Sequence, residues 1–127
     1  MAFNDPATKA MLRMEVRRFA SRCEADQALL QRADSLREVV RLASRSIPSM
    51  LSGEHEAREA QRRLVQAADE RARELVLDHL NAWGKAHDEQ RDRLMKNLVD
   101  DLASLTGPLG HLRTWAQNKR TAAEQMF

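Results

Sequence analysis

Apolar residues in the first third of the chain recur at spacings of three, four or seven, the spacing of one face of an amphipathic helix. They are Leu12, Val16, Phe19, Cys23, Leu30, Ala33, Leu36, Val40, Ala43 and Ile47. Asp5 and Pro6 precede the pattern, and both residue types are favoured where a helix begins. The spacing therefore predicts a first helix over about 5–46.

Part of this pattern keeps a strict seven-residue phase, through Leu12, Phe19, Ala33, Val40 and Ile47. A straight helix drifts by about 20° per heptad, so only a left-handed supercoil keeps such a stripe against one partner. Asp26 lies in the same phase and interrupts it. An imperfect seam of this kind favours a short bundle or an irregular hairpin over a long two-stranded rod.

The helical pattern breaks between residues 46 and 53. Pro48 lacks a backbone donor and disfavours helical geometry at Ile47. The same segment holds the turn-favouring residues Ser46, Ser49, Ser52 and Gly53. Ser52 is placed to cap a following helix, so we predict a corner here and a new helix after it.

A second helical pattern extends over about 53–105. Its predicted inner positions are Leu64, Ala68, Ala72, Leu75, Val76 and Leu80. Opposite charges four residues apart, such as Asp69 and Arg73, favour helix on the outer side. Gly84 weakens the pattern, so the helix is predicted to continue, or to kink, near 81–85.

The second pattern stops at Gly107, Pro108 and Gly110, which together mark a firm boundary. A last amphipathic helix is predicted over about 108–126. Its apolar positions are Leu112, Trp115, Ala116, Ala122 and Met126.

Composition points to the same class. Aromatic residues make up 4% of the 127 residues and tyrosine is absent, which is typical of helix packing rather than of β-sandwiches. The length fits one domain, 1–127. We therefore predict an all-α fold, either an elongated antiparallel helical hairpin or a small three- to four-helix bundle with coiled-coil-like packing.

The charges are mixed, with 31% charged residues and a net charge of +2. Residues 1–46 carry nine basic and six acidic groups, whereas residues 54–105 carry nine basic and twelve acidic groups. Opposite biases along two long helices favour an antiparallel hairpin that folds at Pro48.

Cys23 is the single cysteine, which excludes an intramolecular disulfide. Its place on the apolar face predicts a small buried hydrophobic residue rather than a reactive thiol. No apolar run reaches the roughly 20 residues of a membrane span, and the first residues lack the apolar core of a signal peptide. We expect a cytoplasmic protein without membrane insertion.

The histidines give weak signals for chemistry. His55 and Glu59 lie four residues apart and could present two metal ligands on one face, but two ligands do not make a site. The segment GHLRTWAQ, which contains His111, resembles a degraded phosphoacceptor box of the histidine kinases. Leu112 stands where that family has an acidic residue, and no ATP-binding segment follows.

Motifs for catalysis are also lacking, since the sequence has no Gly-x-Ser-x-Gly elbow and no glycine-rich phosphate loop. We therefore expect a protein that is not an enzyme, with no cofactor and no metal. A phosphotransfer or metal-sensing bundle is the third hypothesis for its function.

Basic residues recur at helical spacing in two rows that could follow a phosphate backbone or meet an acidic partner. They are Lys9, Arg13, Arg17, Arg18 and Arg22 in the first row, and Arg37, Arg41 and Arg45 in the second. Interspersed acidic residues and the low net charge favour a solvated or partner-facing surface over one that binds DNA.

Four apolar residues are candidate contacts with another protein: Trp83, Trp115, Met126 and Phe127. Tryptophan is enriched at binding hot spots, and the last two residues end a helix that follows a Gly-Pro hinge. We predict a bacterial adaptor or assembly factor that binds a helical protein partner, itself, or both. The alternative is a basic accessory protein that binds nucleic acid in a plasmid- or phage-type complex.

Overall fold

The computed structural model describes residues 5–126, and the regular secondary structure within this range is entirely helical. The predicted all-α class is confirmed. The helices are α1 (Pro6–Leu30), α2 (Leu36–Ala43), α3 (His55–Lys85), α4 (Asp88–Leu102) and α5 (Leu112–Met126). Two short 3₁₀ turns, Ser49–Leu51 and Gly107–Leu109, lie between them.

The long helix α3 is the centre of the fold, since α1, α2, α4 and α5 all contact it. The inner positions predicted for the second helical pattern, from Leu64 to Leu80, are buried. Ala57, Ala68 and Ala72 are 0% exposed, and their small side chains allow neighbouring helices to approach the α3 backbone closely. The core is therefore built around one helix and differs from the predicted seam between two long ones.

The predicted helix over 5–46 is two helices, because the chain leaves helical geometry between Leu30 and Leu36. The Ser35 hydroxyl accepts a hydrogen bond from the Glu38 backbone N–H at 3.2 Å and caps α2. The Arg71 side chain donates from Nε and Nη2 to the Ala33 carbonyl oxygen, at 3.1 and 2.8 Å. These bonds satisfy backbone groups that the break exposes.

The break also changes the direction of the chain, so the predicted antiparallel hairpin about Pro48 does not describe this fold. Helix α2 returns alongside α1, and Arg45 after it reaches back to Asp26. Gln61, near the start of α3, donates to the Arg45 carbonyl oxygen at 2.8 Å, while Arg71 lies beside Ala33. Helices α1 and α3 therefore run in the same general direction, with α2 opposed to both.

The segment before α3 is a corner, as predicted, but its capping differs. Helix α3 begins at His55 with Glu54 at the N-cap position, and the Ser52 hydroxyl donates to the Ser49 carbonyl oxygen at 2.8 Å. Leu51 is 1% exposed, so the corner also contributes to the core. At the start of α1, the Asp5 carboxylate accepts from the Thr8 hydroxyl and caps no backbone N–H.

The predicted helix over 53–105 is also divided. Helix α3 continues through Gly84 to Lys85, and extended backbone at Ala86 and His87 separates it from α4. Asp88 opens α4 with a φ of 48°, a conformation that aspartate tolerates better than most residues. The negative charges in the first turn of α4 are favoured by the helix dipole.

The last helix begins at Leu112, after the 3₁₀ turn, rather than at residue 108. Gly107 has a φ of 55°, which explains why a glycine occupies the start of this turn. No helix within residues 5–126 combines the length and apolar character needed to cross a membrane.

Candidate interaction surface on the first helix

One face of α1 packs into the protein. Its buried residues are Val16, Phe19, Cys23, Asp26 and Leu30. They repeat at alternating spacings of three and four, as expected for a helix that contacts its neighbours along one side. The opposite side of α1 is left without a neighbour in the described chain.

That opposite side carries an exposed row of seven positions at alternating spacings of four and three. The row, called here the outer face, consists of Ala7, Met11, Met14, Arg18, Ser21, Ala25 and Ala28. Met11 is 58% exposed and Met14 is 55% exposed. Long apolar side chains left in water along one helix face mark a candidate contact surface.

Charged residues border the outer face on both sides. Arg17 and Glu24 lie along one border, and Glu15 and Arg22 lie along the other, as the 3.6-residue period requires. Arg18 lies on the face itself and donates to the Glu15 carboxylate at 3.0 Å. Each border therefore combines one positive and one negative side chain.

On α3 and α4, the large exposed apolar residues stand alone. Leu77 is 46% exposed on α3, but its neighbours on that side include Glu74 and Asp78. Val99 is 38% exposed beside Asp100 on α4. Single exposed apolar residues are common on protein surfaces, so these positions do not define a second surface of the same kind.

The first basic row lies against acidic groups. Lys9, Arg13 and Arg17 line an open groove of about 330 Å³ between α1 and the start of α3. Glu54 and Glu56 form part of the other wall. The positive charge of this row is therefore partly balanced within the chain.

The second basic row is also engaged within the chain. Arg45 Nε donates to Asp26 Oδ2 at 2.7 Å, and this hydrogen bond raises the pKa of Arg45 above its ordinary value. Arg41 pairs with Glu38 at 3.8 Å. Arg37 and Arg41 line a second open groove with Asp100, so this row too lies near carboxylates.

The tryptophans pack inside this chain. Trp83 is 7% exposed, and the Arg91 guanidinium lies 4.2 Å from the centre of its ring. Trp115 is half-buried against the core, with the Arg73 guanidinium 4.7 Å from its ring centre. Cation–π contacts of this kind stabilise the fold, and both rings therefore have contacts within the chain. Met126 is 78% exposed at the end of α5, and Phe127 lies outside the described residues.

A cluster of three polar side chains joins the turn before α5 to α3, and the contact of its histidine was not predicted from the sequence. His111 Nε2 lies 2.6 Å from Asp69 Oδ2, and Arg73 Nε donates to Asp69 Oδ1 at 2.7 Å. The Asp69–Arg73 pair was predicted from its spacing, whereas the histidine is 42 residues away in sequence. His111 therefore has a structural partner on the central helix.

This cluster predicts a dependence of stability on pH. Burial acts to raise the pKa of Asp69, but the hydrogen bonds from Arg73 and His111, together with the positive charge of Arg73, outweigh it and lower the pKa. A lowered pKa in the folded state gives stability that is present above the unfolded pKa of about 3.9 and is lost as pH falls through the folded value. In urea unfolding from pH 7 to pH 3, Asp69→Asn should therefore lose less stability than the wild type.

The matched control for that experiment is Asp78→Asn, which removes an exposed carboxyl group from the same helix. It should keep the wild-type dependence on pH. If the wild type and Asp69→Asn lost the same stability between pH 7 and pH 3, the pH-dependent stability would not come from Asp69.

Glu59 and Cys23, which were considered for metal and thiol chemistry, have defined surroundings within the chain. No group of three metal-binding side chains occurs among the described residues. The Glu59 carboxylate near His55 accepts hydrogen bonds from Arg62, which lower the pKa of Glu59, and it also pairs with Arg63. Cys23 is 0% exposed and burial raises its pKa, so it is the buried small residue that was predicted.

Comparisons with models of protein families, with curated proteins and with solved structures found no significant match to this chain.

Proposed function

We propose that this protein is a non-enzymatic helical interaction module that binds other helical protein surfaces through the outer face of α1. The observation that carries the proposal is the continuous exposed row on that helix, in which Met11 and Met14 are more than half exposed. Methionine side chains are flexible and polarisable, and they are common at surfaces that accept helices.

The location of the surface differs from the one expected from the sequence. Trp83 and Trp115 pack within the chain, which moves the proposed contact from the C-terminal helix to α1. Met126 is an exposed apolar residue that could extend a contact, but the last turn before it holds no other large exposed apolar residue. An adaptor or assembly factor remains the kind of protein that we propose.

The basic rows support this proposal over the nucleic-acid alternative. Binding to a phosphate backbone requires several positive side chains that are free to displace counterions. Arg45 is held by Asp26, Arg18 by Glu15, and the groove lined by Arg13 carries two glutamates. The remaining charge is better suited to setting the register of a protein contact.

Site-specific photo-crosslinking tests the proposed function. We would replace Met14 with benzoylphenylalanine, express the protein in its native host and irradiate the cells. Because the outer face would be covered by a helix of a partner or of a second copy, we expect a discrete crosslinked protein adduct. Mass spectrometry of the adduct then identifies the crosslinked peptide.

The control carries the same photoreactive group at Leu77, which is also exposed but lies among polar neighbours on α3. The adduct should form from position 14 and be lost when Met11→Asp is introduced beside it. If position 14 gives no adduct beyond those of position 77, the outer face is not a binding surface and the proposed function fails.

A further inference from the structure

We propose that the outer face of α1 binds the same face of a second copy of this chain, with the two helices antiparallel. This inference rests on the proposed function and names the partner. The outer face has the alternating four and three spacing of a coiled-coil seam, sustained over 22 residues from Ala7 to Ala28. A second copy supplies a helix of the same length and the same spacing.

The sizes of the side chains fit one register. When Arg18 lies opposite Ser21 of the second copy, Met11 meets Ala28 and Met14 meets Ala25. Each long side chain then faces a small one, so the layers fill without collision. The two-fold symmetry repeats each layer, and the arrangement closes as a dimer.

The charged borders fit the same register. In antiparallel coiled coils, residues on one border of a helix meet the same border of the partner. Arg17 then lies beside Glu24 of the second copy, and Glu15 lies beside Arg22 of the second copy. The symmetry makes each pair occur twice, so four pairs of opposite charge flank the seam.

Other arrangements bring like charges together. A parallel dimer places Arg17 beside Arg22 of the second copy, twice. Shifting the antiparallel register by one heptad in one direction places Glu24 against Glu24 and Arg22 against Arg22. Shifting it in the other direction places Arg17 against Arg17 and Glu15 against Glu15. The borders therefore select one orientation and one register.

Sedimentation equilibrium of charge variants tests this dimer. The wild type should dimerise with a dissociation constant below about 1 mM. Arg17→Glu should weaken the dimer about tenfold, because two attractive pairs become repulsive. Glu24→Arg should do the same, and the double variant R17E/E24R should restore dimerisation.

The matched control is Arg13→Glu, which reverses a charge on the same helix and the same groove but away from the borders of the outer face. It should leave the dimer unchanged. Circular dichroism melts would confirm that each variant keeps its fold. A wild type that is monomeric at 1 mM, or equal weakening by Arg13→Glu and Arg17→Glu, would overturn the proposal.

Two separate measurements distinguish an antiparallel from a parallel arrangement of the two α1 helices. In a parallel dimer, Arg17→Glu would remove a repulsion and strengthen association, which is the opposite of the expected sign. Spin labels at Lys9→Cys should lie roughly 30 Å apart along the helix axis in the antiparallel register, and side by side in a parallel one. A position-14 adduct with a different protein and none with this chain would overturn the dimer and leave the proposed function intact.

Discussion

Replacing Leu64 with alanine should lower the free energy of unfolding by about 3 kcal/mol. Leu64 is 0% exposed on α3, the helix that α1, α2, α4 and α5 all contact. Removing its three outer carbon atoms loses their burial and leaves a cavity that several helices would have to close together. Urea unfolding followed by circular dichroism measures the loss.

Leu77→Ala is the matched control, because it makes the same substitution on the same helix at a position that is 46% exposed. Both variants change helix propensity equally, so their difference isolates burial. The control should change stability by about 0.5 kcal/mol or less. Protein concentration must be the same in all samples, since dimerisation would add to apparent stability. Equal losses for the two variants would mean that α3 is not the centre of the core.

The spacing of hydrophobic residues was sufficient to predict the class of fold and most of the buried core positions. Leucine and alanine at intervals of three and four identified the buried face of α3 correctly, because that face contacts neighbours along its whole length. The same spacing failed where a helix ended without interrupting the pattern. Ala33 and Leu36 continue the apolar row and are both buried, although the chain between them is not helical.

A local signal for that break was present in the sequence. Ser35 followed by Glu38 has the spacing of a capping box, and Ser35 does cap α2. The bond from Arg71 to the Ala33 carbonyl joins residues 38 apart, and no local pattern shows such a contact. The reversal of the chain at α2 therefore depended on tertiary structure that spacing could not provide.

The candidate surface was missed for a related reason. The outer face of α1 contains alanines, a serine and an arginine, which give little hydrophobic signal beside the row from Val16 to Leu30. It becomes apparent only once the other row is known to be buried. Trp83 and Trp115 were predicted as partner contacts because of their size, and the structure places a cationic side chain of the same chain beside each ring.

Replacing Arg45 with alanine should destabilise the protein by about 2 kcal/mol, although Arg45 was predicted as a surface residue. The side chain of Asp26 is 10% exposed and lies 2.7 Å from Arg45 Nε. Without the guanidinium, a nearly buried carboxylate loses its charged partner, and that loss exceeds the value of an exposed ion pair. The bond from Gln61 to the Arg45 backbone carbonyl is retained in alanine, so the variant isolates the side chain.

The decisive second variant replaces Asp26, the residue that interrupts the seven-residue phase of apolar positions. Asp26→Leu places an apolar side chain in the phase of Phe19 and Ala33, and it should leave stability unchanged or raise it, as replacements of buried ion pairs often do. In that background Arg45→Ala should cost about 0.5 kcal/mol or less, since no buried charge remains to be compensated. A double-mutant cycle from urea unfolding measures this difference. If Arg45→Ala costs the same with and without Asp26, the arginine stabilises the fold by its packing, and Asp26 is tolerated in the core for another reason.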